Sequence, residues 1–235
     1  MSVFSNEKIR RLSLGFTALA DVFPGFELGD FAALQGYAAR FITFVLSVRI
    51  QLPPRKGGLA SSVIFVDGGN SFNLYTVTEI ARSNSLDSKL VLDKIYVSRA
   101  FTAYQLYSLI LMKLEPFLNR KKSKLLIVSD ITSLFLDRDI SNTEANDLYL
   151  KLCTKLSEIA ARKKSIVVVS YFTEKASRRS VFFEAVLHCR SNVLVKLRKR
   201  GKILRFTLES HPRIKSFSLD LPTNDYVQLT DFMEV

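Results

Sequence analysis

Four apolar runs rich in β-branched residues, separated by segments of helical length, constrain this chain more than any other feature. SSVIFVDGG (61–69), KIYVSRAF (94–101), KLLIVSDIT (124–132) and SIVVVSYF (165–172) are near-continuously apolar, the pattern of strands covered on both faces. The segments between and before them, 37–51, 73–84, 102–119 and 144–163, have helical length. In the last, Leu148, Leu152, Leu156 and Ile159 recur at helical spacing while Lys151, Lys155 and Glu158 point elsewhere. Strand–helix alternation predicts an α/β fold with a mostly parallel sheet, flanking helices and right-handed crossovers. Pro53 and Pro54 stop the first helix, and the glycines of 51–58 make a loop. The tail changes character: NVLVKLR (192–198), KILRFTLES (202–210) and RIKSFSLDL (213–221) are short strands divided by Arg200-Gly201 and His211-Pro212. They predict a C-terminal antiparallel extension. With no internal repeat and no long linker, one domain over 1–235 is expected.

Composition agrees with a folded globule. Hydrophobic residues make up 48% of the 235 residues, and Gly and Pro together number 15, so disorder is not expected. No run of about 18 apolar residues suggests a membrane span. The opening MSVFSNEKIRRLS lacks the apolar core of a secretory signal. Cys153 and Cys189 have no metal-ligand spacing, and a reducing cytoplasm is the expected location. Cys153 lies on an apolar helix face and reads as a small core residue. No metal is expected; Asp137, Asp139 and Glu144 read as an exposed loop ending in a helix cap at Ser141 or Thr143.

Charge is unevenly placed. The net formal charge is +12, and between Lys175 and Lys215 twelve Lys/Arg face only Glu184 and Glu209. Such asymmetry points to a polyanion, nucleic acid above all. The blander reading is a solubilising basic face.

In a doubly wound layout, GYAARFIT (36–43) occupies the place of a phosphate-binding loop. Such a loop needs glycines that free backbone N–H groups, and a lysine for the outer phosphates. The chain keeps Gly36 but has Phe41 and Ile42 before Thr43. The same residues also read as the start of a buried apolar helix.

Several stretches, in order, resemble the RecA/RadA recombinase family, specifically the ATPase core of archaeal RadA and its paralogs. LSLGFTALADVFPGFELGDFAALQG (12–36) is similar to the lead-in to the P-loop, and QLPPRKGGLASSVIFVDGGNSF (51–72) to the loop and strand that follow its helix. KIYVSRAFTAYQL (94–106), KLLIVSDITSLF (124–135) and HCRSNVLVKLRKRGK (188–202) resemble the later strands, so that the likeness spans roughly 10–220. Room for the family's N-terminal helix-hairpin-helix domain is not expected.

The resemblance implies a site whose residues here depart from the family pattern. Phe41 and Ile42 stand at the second glycine and the lysine, Thr43 at the magnesium-binding hydroxyl, and Arg40 is the nearest cation, one place out of register. Gly69 stands where the family has the glutamate that activates water. Ser129 occupies the second acidic position, with Asp130 one residue later. A one-residue shift along a strand turns Asp130 to the opposite face unless the strand end bulges. Phe172, after Tyr171, replaces the γ-phosphate sensor. These losses predict no ATP hydrolysis, no catalytic residue and no cofactor.

The family's DNA-binding loops imply the partner. The second loop matches 173–181, with Lys175, Arg178 and Arg179 beside Tyr171 and Phe172, a mixture suited to salt-sensitive binding with base stacking. Lys196, Arg198, Lys199, Arg200 and Lys202 form a second cluster at a hairpin turn. His188 is expected at the start of a late strand, and FFEA (182–185) inside a helix rather than as a docking motif. The expected function is a non-catalytic RadA-like paralog that binds DNA, single-stranded by preference, and assists homologous recombination. The alternatives are a protein-interaction scaffold for a RadA-type recombinase and an ATPase with an atypical P-loop.

Overall fold

The computed structural model describes residues 10–173 and 176–222. In chain order the strands and helices are β1 (Arg11–Leu12), β2 (Phe26–Glu27), β3 (Phe31–Gln35), α1 (Ala39–Arg49), β4 (Val63–Asp67), α2 (Leu74–Ser83), α3 (Ser88–Leu92) and β5 (Ile95–Arg99). There follow α4 (Ala103–Ser108), which runs through a π turn at Leu109–Lys113 into α5 (Leu114–Lys121), then β6 (Leu125–Ser129), α6 (Asn142–Lys163) and β7 (Ile166–Tyr171). The last elements are α7 (Arg178–Arg190), β8 (Val193–Arg200), β9 (Ile203–Ser210) and β10 (Phe217–Pro222).

The four apolar runs all become strands, and every residue of β4, β6 and β7 is buried. With β3, the strands β4, β6 and β7 form the centre of an eight-stranded sheet ordered β10-β9-β8-β3-β7-β6-β4-β5, while β5, expected to be covered on both faces, is an edge strand exposed from Val97 to Arg99. β8, β3, β7, β6, β4 and β5 pair parallel, while β9 and β10 continue the sheet antiparallel. The expected fold class is therefore observed.

Each sheet face carries its own core. On one, Leu34, Phe65, Ile127 and Val168 meet Phe41, Ile42, Val45 and Leu46 of α1. On the other, Val66, Val128 and Val169 meet Leu106, Leu152, Leu156 and Phe183 of α4, α6 and α7. Alternation sends side chains of each central strand to both layers, which is why these strands read as unbroken apolar runs.

Helix α3 goes beyond the elements expected from the sequence, and α7 extends the helix expected around 182–185 to Arg178–Arg190. α7 opens on a Ser177–Ser180 capping box and includes His188, so that residue lies in a helix and not in a strand; β8 begins only at Val193. FFEA does sit inside this helix, with Phe183 fully buried. Ser141 caps α6 by accepting from the Glu144 N–H. Among the described residues no helix is long and apolar enough to cross a membrane.

Candidate nucleotide and nucleic-acid site

The carboxyl ends of the parallel strands carry the candidate site, as crevices of open α/β sheets do. After β3 the chain makes a tight turn and enters α1 at Ala39, whose N–H donates to the Gly36 carbonyl. Gly36 has a φ of +114°, and a Cβ there would lie 2.1 Å from the Leu197 carbonyl oxygen of β8. Close approach of β8 alone therefore requires glycine at this position. Phe41 and Ile42 turn into the core, and Thr43 is fully buried, its hydroxyl donating to the Arg40 carbonyl at 2.6 Å. Behind the turn Phe44, Phe65 and Phe72 pack with ring centroids 5.0–5.9 Å apart.

Arg40 and Asp130 correct the expectation drawn from register. β6 ends at Ser129, and Asp130 adopts a left-handed conformation with φ 51°. That bend returns its carboxylate to the α1 side, where Arg40 Nε donates to Oδ2 at 3.1 Å and Nη2 lies 3.0 Å from the same oxygen. The Asp130 side chain is largely buried and the Arg40 guanidinium about half exposed. Gly69 belongs to the same arrangement, because a Cβ there would lie 2.4 Å from Asp130 Oδ2. No sequence pattern signals this pairing of 69 with 130.

Asp67 at the end of β4 is fully buried and saturated with donors. Its carboxylate accepts from the Ser71 and Phe72 N–H groups at 2.9 and 3.0 Å and from the Ser129 hydroxyl at 3.2 Å, with Arg99 at 3.4 Å. Beside this cluster a cavity of about 120 Å³ is lined by Tyr37, Arg40, Phe41, Phe44, Ser71, Asn73 and Thr76.

The expected DNA-binding residues separate into different roles. Lys175 lies outside the described residues. Arg178 is exposed at the first position of α7 rather than in a loop. Arg179 is committed internally: its guanidinium donates to the carbonyls of Phe135, Asp137 and Ile140 and to Asn142 Oδ1, at 2.6–3.0 Å. It thereby holds the loop after β6 against α7. Tyr171 is buried, with its hydroxyl 3.0 Å from His188 Nε2, so no base can stack on it. Burial, with Glu184 and Glu209 adding to it, pushes that phenol well above its ordinary range. Phe172 is exposed, edge-on to exposed Tyr37 at 5.8 Å.

The hairpin cluster divides by strand alternation. Lys196, Arg198 and Arg200 project from β8 opposite the buried side chains of Val195 and Leu197. Lys199 falls on the other face. Cross-strand partners extend the outer face through Thr207, Arg205 and Ile203 of β9 to Ser218 and Asp220 of β10. Arg205 grips Asp220 bidentately at 2.7 and 2.8 Å, and Lys196 lies 3.7 Å from Glu209. Arg198 and Arg200 make no ion pair among the described residues and line a groove of about 130 Å³ with Ile203, Arg205 and Asp220. Lys202 is exposed in the two-residue turn.

With a turn–helix after β3 and aspartates at the end of β4 and just after β6 in place, the sequence of this segment can be compared with known families. The Rad51 family model matches residues 26–179. The chain belongs to the Rad51 family. The match runs from β2 to the first turn of α7, so it covers the candidate nucleotide site and both loops that follow β6 and β7. At family level this connects the chain to recombination and repair and to DNA binding. The basic outer face of β8 and β9 lies beyond the matched Rad51 region.

Proposed function

We propose that this Rad51-family chain is a non-catalytic RadA-type paralog that binds single-stranded DNA and assists recombinational repair without hydrolysing ATP. The observation that carries the reading is the Arg40–Asp130 ion pair. Arg40 lines the cavity and is held by Asp130, beside the positions to which the family resemblance assigns the phosphate-loop lysine and the metal-binding carboxylate. The residues present do not fit magnesium triphosphate. Ile42 is buried and has no donor, the Thr43 hydroxyl is taken by a backbone carbonyl, and Gly69 offers no general base while Asp130 fills the space beside it.

Binding falls to the surfaces around this closed site. Arg198 and Arg200 offer cations without an ion-pair partner among the described residues on an open sheet face, while Phe172, Tyr37 and Arg178 offer stacking and charge above the strand ends. Phosphate neutralisation with aromatic stacking suits a flexible single strand. Filter binding of a single-stranded oligonucleotide across a salt series tests this. The reading expects affinity to fall steeply with salt and to drop about tenfold in Arg198→Ala/Arg200→Ala at fixed salt. Affinity indifferent to both would sink it.

A second reading, a scaffold for a recombinase, draws on one observation. Tyr37, Leu74, Tyr75, Phe101, Tyr104 and Phe172, all at the carboxyl ends of strands, are exposed apolar side chains. Apolar patches of this kind mark protein contacts. Co-elution with a RadA-type recombinase in the absence of DNA, lost in Tyr75→Ser/Phe101→Ser, is the expected result on that reading.

A further inference from the structure

At the opposite end of the sheet the chain repeats itself. α5 passes into β6 through Arg120-Lys121-Lys122-Ser123, and α6 passes into β7 through Arg162-Lys163-Lys164-Ser165. Because β6 and β7 are neighbouring parallel strands with Leu125 opposite Ile166, the two turns lie side by side. The Ser165 hydroxyl reaches the Ser123 carbonyl at 3.5 Å, and the Ser123 hydroxyl donates to the Ser62 carbonyl at 2.7 Å. This edge is a fixed platform and not a pair of loose loops.

Seven cations gather here when Lys124 is included, and the carboxylates paired with them among the described residues are Glu115 and Glu158. Those two are taken: Glu115 pairs with Lys155 and Lys163, and Glu158 with Arg162. Arg120 and Lys121 lie over the ring of Phe117 at 4.9 and 5.9 Å, and Lys121 over Tyr96 at 4.1 Å. Lys122 and Lys164 are exposed and make no ion pair among the described residues. Between the turns lies a depression of about 300 Å³, lined by Leu28, Asn119 and Lys122, Lys124, Lys163 and Lys164, with Ser123 and Ser165 at its base and no carboxylate in its wall.

The backbone adds an independent sign. Lys122 and Lys164 end their helices in the left-handed conformation, with φ of 51° and 47°. Glycine or asparagine serves that position at lower cost. Both helices instead end on lysine and direct the charge to the same depression.

We propose that this amino-terminal edge is a second nucleic-acid site, which grips the phosphate backbone of a strand distinct from the one on the β8–β9 face. Strands of five and six residues separate the edge from the carboxyl end of the sheet, where β8 runs past β3 to Arg198 and Arg200, roughly 20 Å at about 3.3 Å per residue. Two surfaces at that separation hold two strands at once, so the molecule bridges DNA. The bridging consequence rests on the DNA-binding reading above; the edge site does not.

Lys122→Gly/Lys164→Gly tests the proposal without endangering the fold, because glycine relieves both left-handed residues and thermal unfolding should occur no lower than in the parent. Two readouts are taken: direct binding of a fluorescent 30-mer single strand, and its capture by protein already bound to the same 30-mer on beads. Wild-type protein is expected to capture the second strand, and the glycine pair to lose about fivefold or more of that capture while direct binding changes less than about threefold. Arg198→Ala/Arg200→Ala is expected to lose direct binding instead. Capture unchanged in the glycine pair, or no capture by wild type whose direct binding is lost in the arginine pair, overturns the edge site and leaves the β8–β9 face standing. Direct binding that survives the arginine pair and is lost in the glycine pair supports the edge site and sinks the other face.

Discussion

Arg40 and Asp130 show how single residues shape a site. One left-handed residue at the end of β6 reverses the direction in which a carboxylate points, and one missing side chain at Gly69 makes room for it. Neither fact is legible in the sequence, because a left-handed aspartate carries no local signature and the 69–130 contact is non-local. Arg179 is the counterpart on the other sheet face. It reads as a DNA contact in the sequence because the charge of a cation in solvent is the same as that of one bonded to three carbonyls. Arg179→Ala is expected to cost about 2 kcal/mol in urea unfolding, since charge-assisted hydrogen bonds contribute roughly 1.5–3 kcal/mol each and are not additive. Hydrogen exchange should rise selectively over 136–141. The thiols differ as burial dictates: Cys189 is exposed, while desolvation pushes the Cys153 thiol up to about 12. A native thiol assay at pH 8 should therefore titrate one cysteine per chain. The unfolded state releases the Cys153 proton from about pH 9 and the folded state retains it. Stability should consequently fall as pH rises above 9, approaching about 1.4 kcal/mol per pH unit from this group.

Among the elements, the central strands are legible because burial on both faces leaves only apolar residues. α1, α2 and α6 are legible within a few residues of their ends for the related reason of helical periodicity. α7 is legible only at its centre, FFEA: its sequence RRSVFFEAVLHCR mixes cations and aromatics on several faces, and it follows a run that reads as loop, so its start at Arg178 and its reach to His188 are not. α1 is the element on which function turns. Ile42 and Thr43 of its first turn face the core, so placing a lysine at position 42 should damage the fold before it supplies a phosphate contact. Ile42→Lys is expected to destabilise by about 3 kcal/mol or more, since it buries an unpaired ammonium at a position 1% exposed. Equilibrium unfolding reads the cost, and a change below about 1 kcal/mol would show that α1 can open toward a phosphate.

Over the whole molecule, charge and sheet order combine in a way that the linear order of the chain obscures. The twelve cations between Lys175 and Lys215 are partly spent on structure: Arg179 on carbonyls, Arg205 on Asp220, Arg213 on Glu27. The edge between β6 and β7 gathers cations from two distant runs that no single window contains. The salt dependence of binding should separate these surfaces. Removing Arg198 and Arg200 is expected to lower the slope of log K against log salt by about 1.4 for a single strand, at roughly 0.7 for each phosphate that is no longer neutralised.

If the Arg40–Asp130 ion pair holds the nucleotide position as proposed, DNA binding is independent of ATP. Titration of a labelled single-stranded oligonucleotide, without nucleotide and with saturating ATP and magnesium, tests it most directly. The expected curves superimpose in the two conditions. Binding that tightens several-fold with ATP, and loses that response in Thr43→Ala, would contradict it.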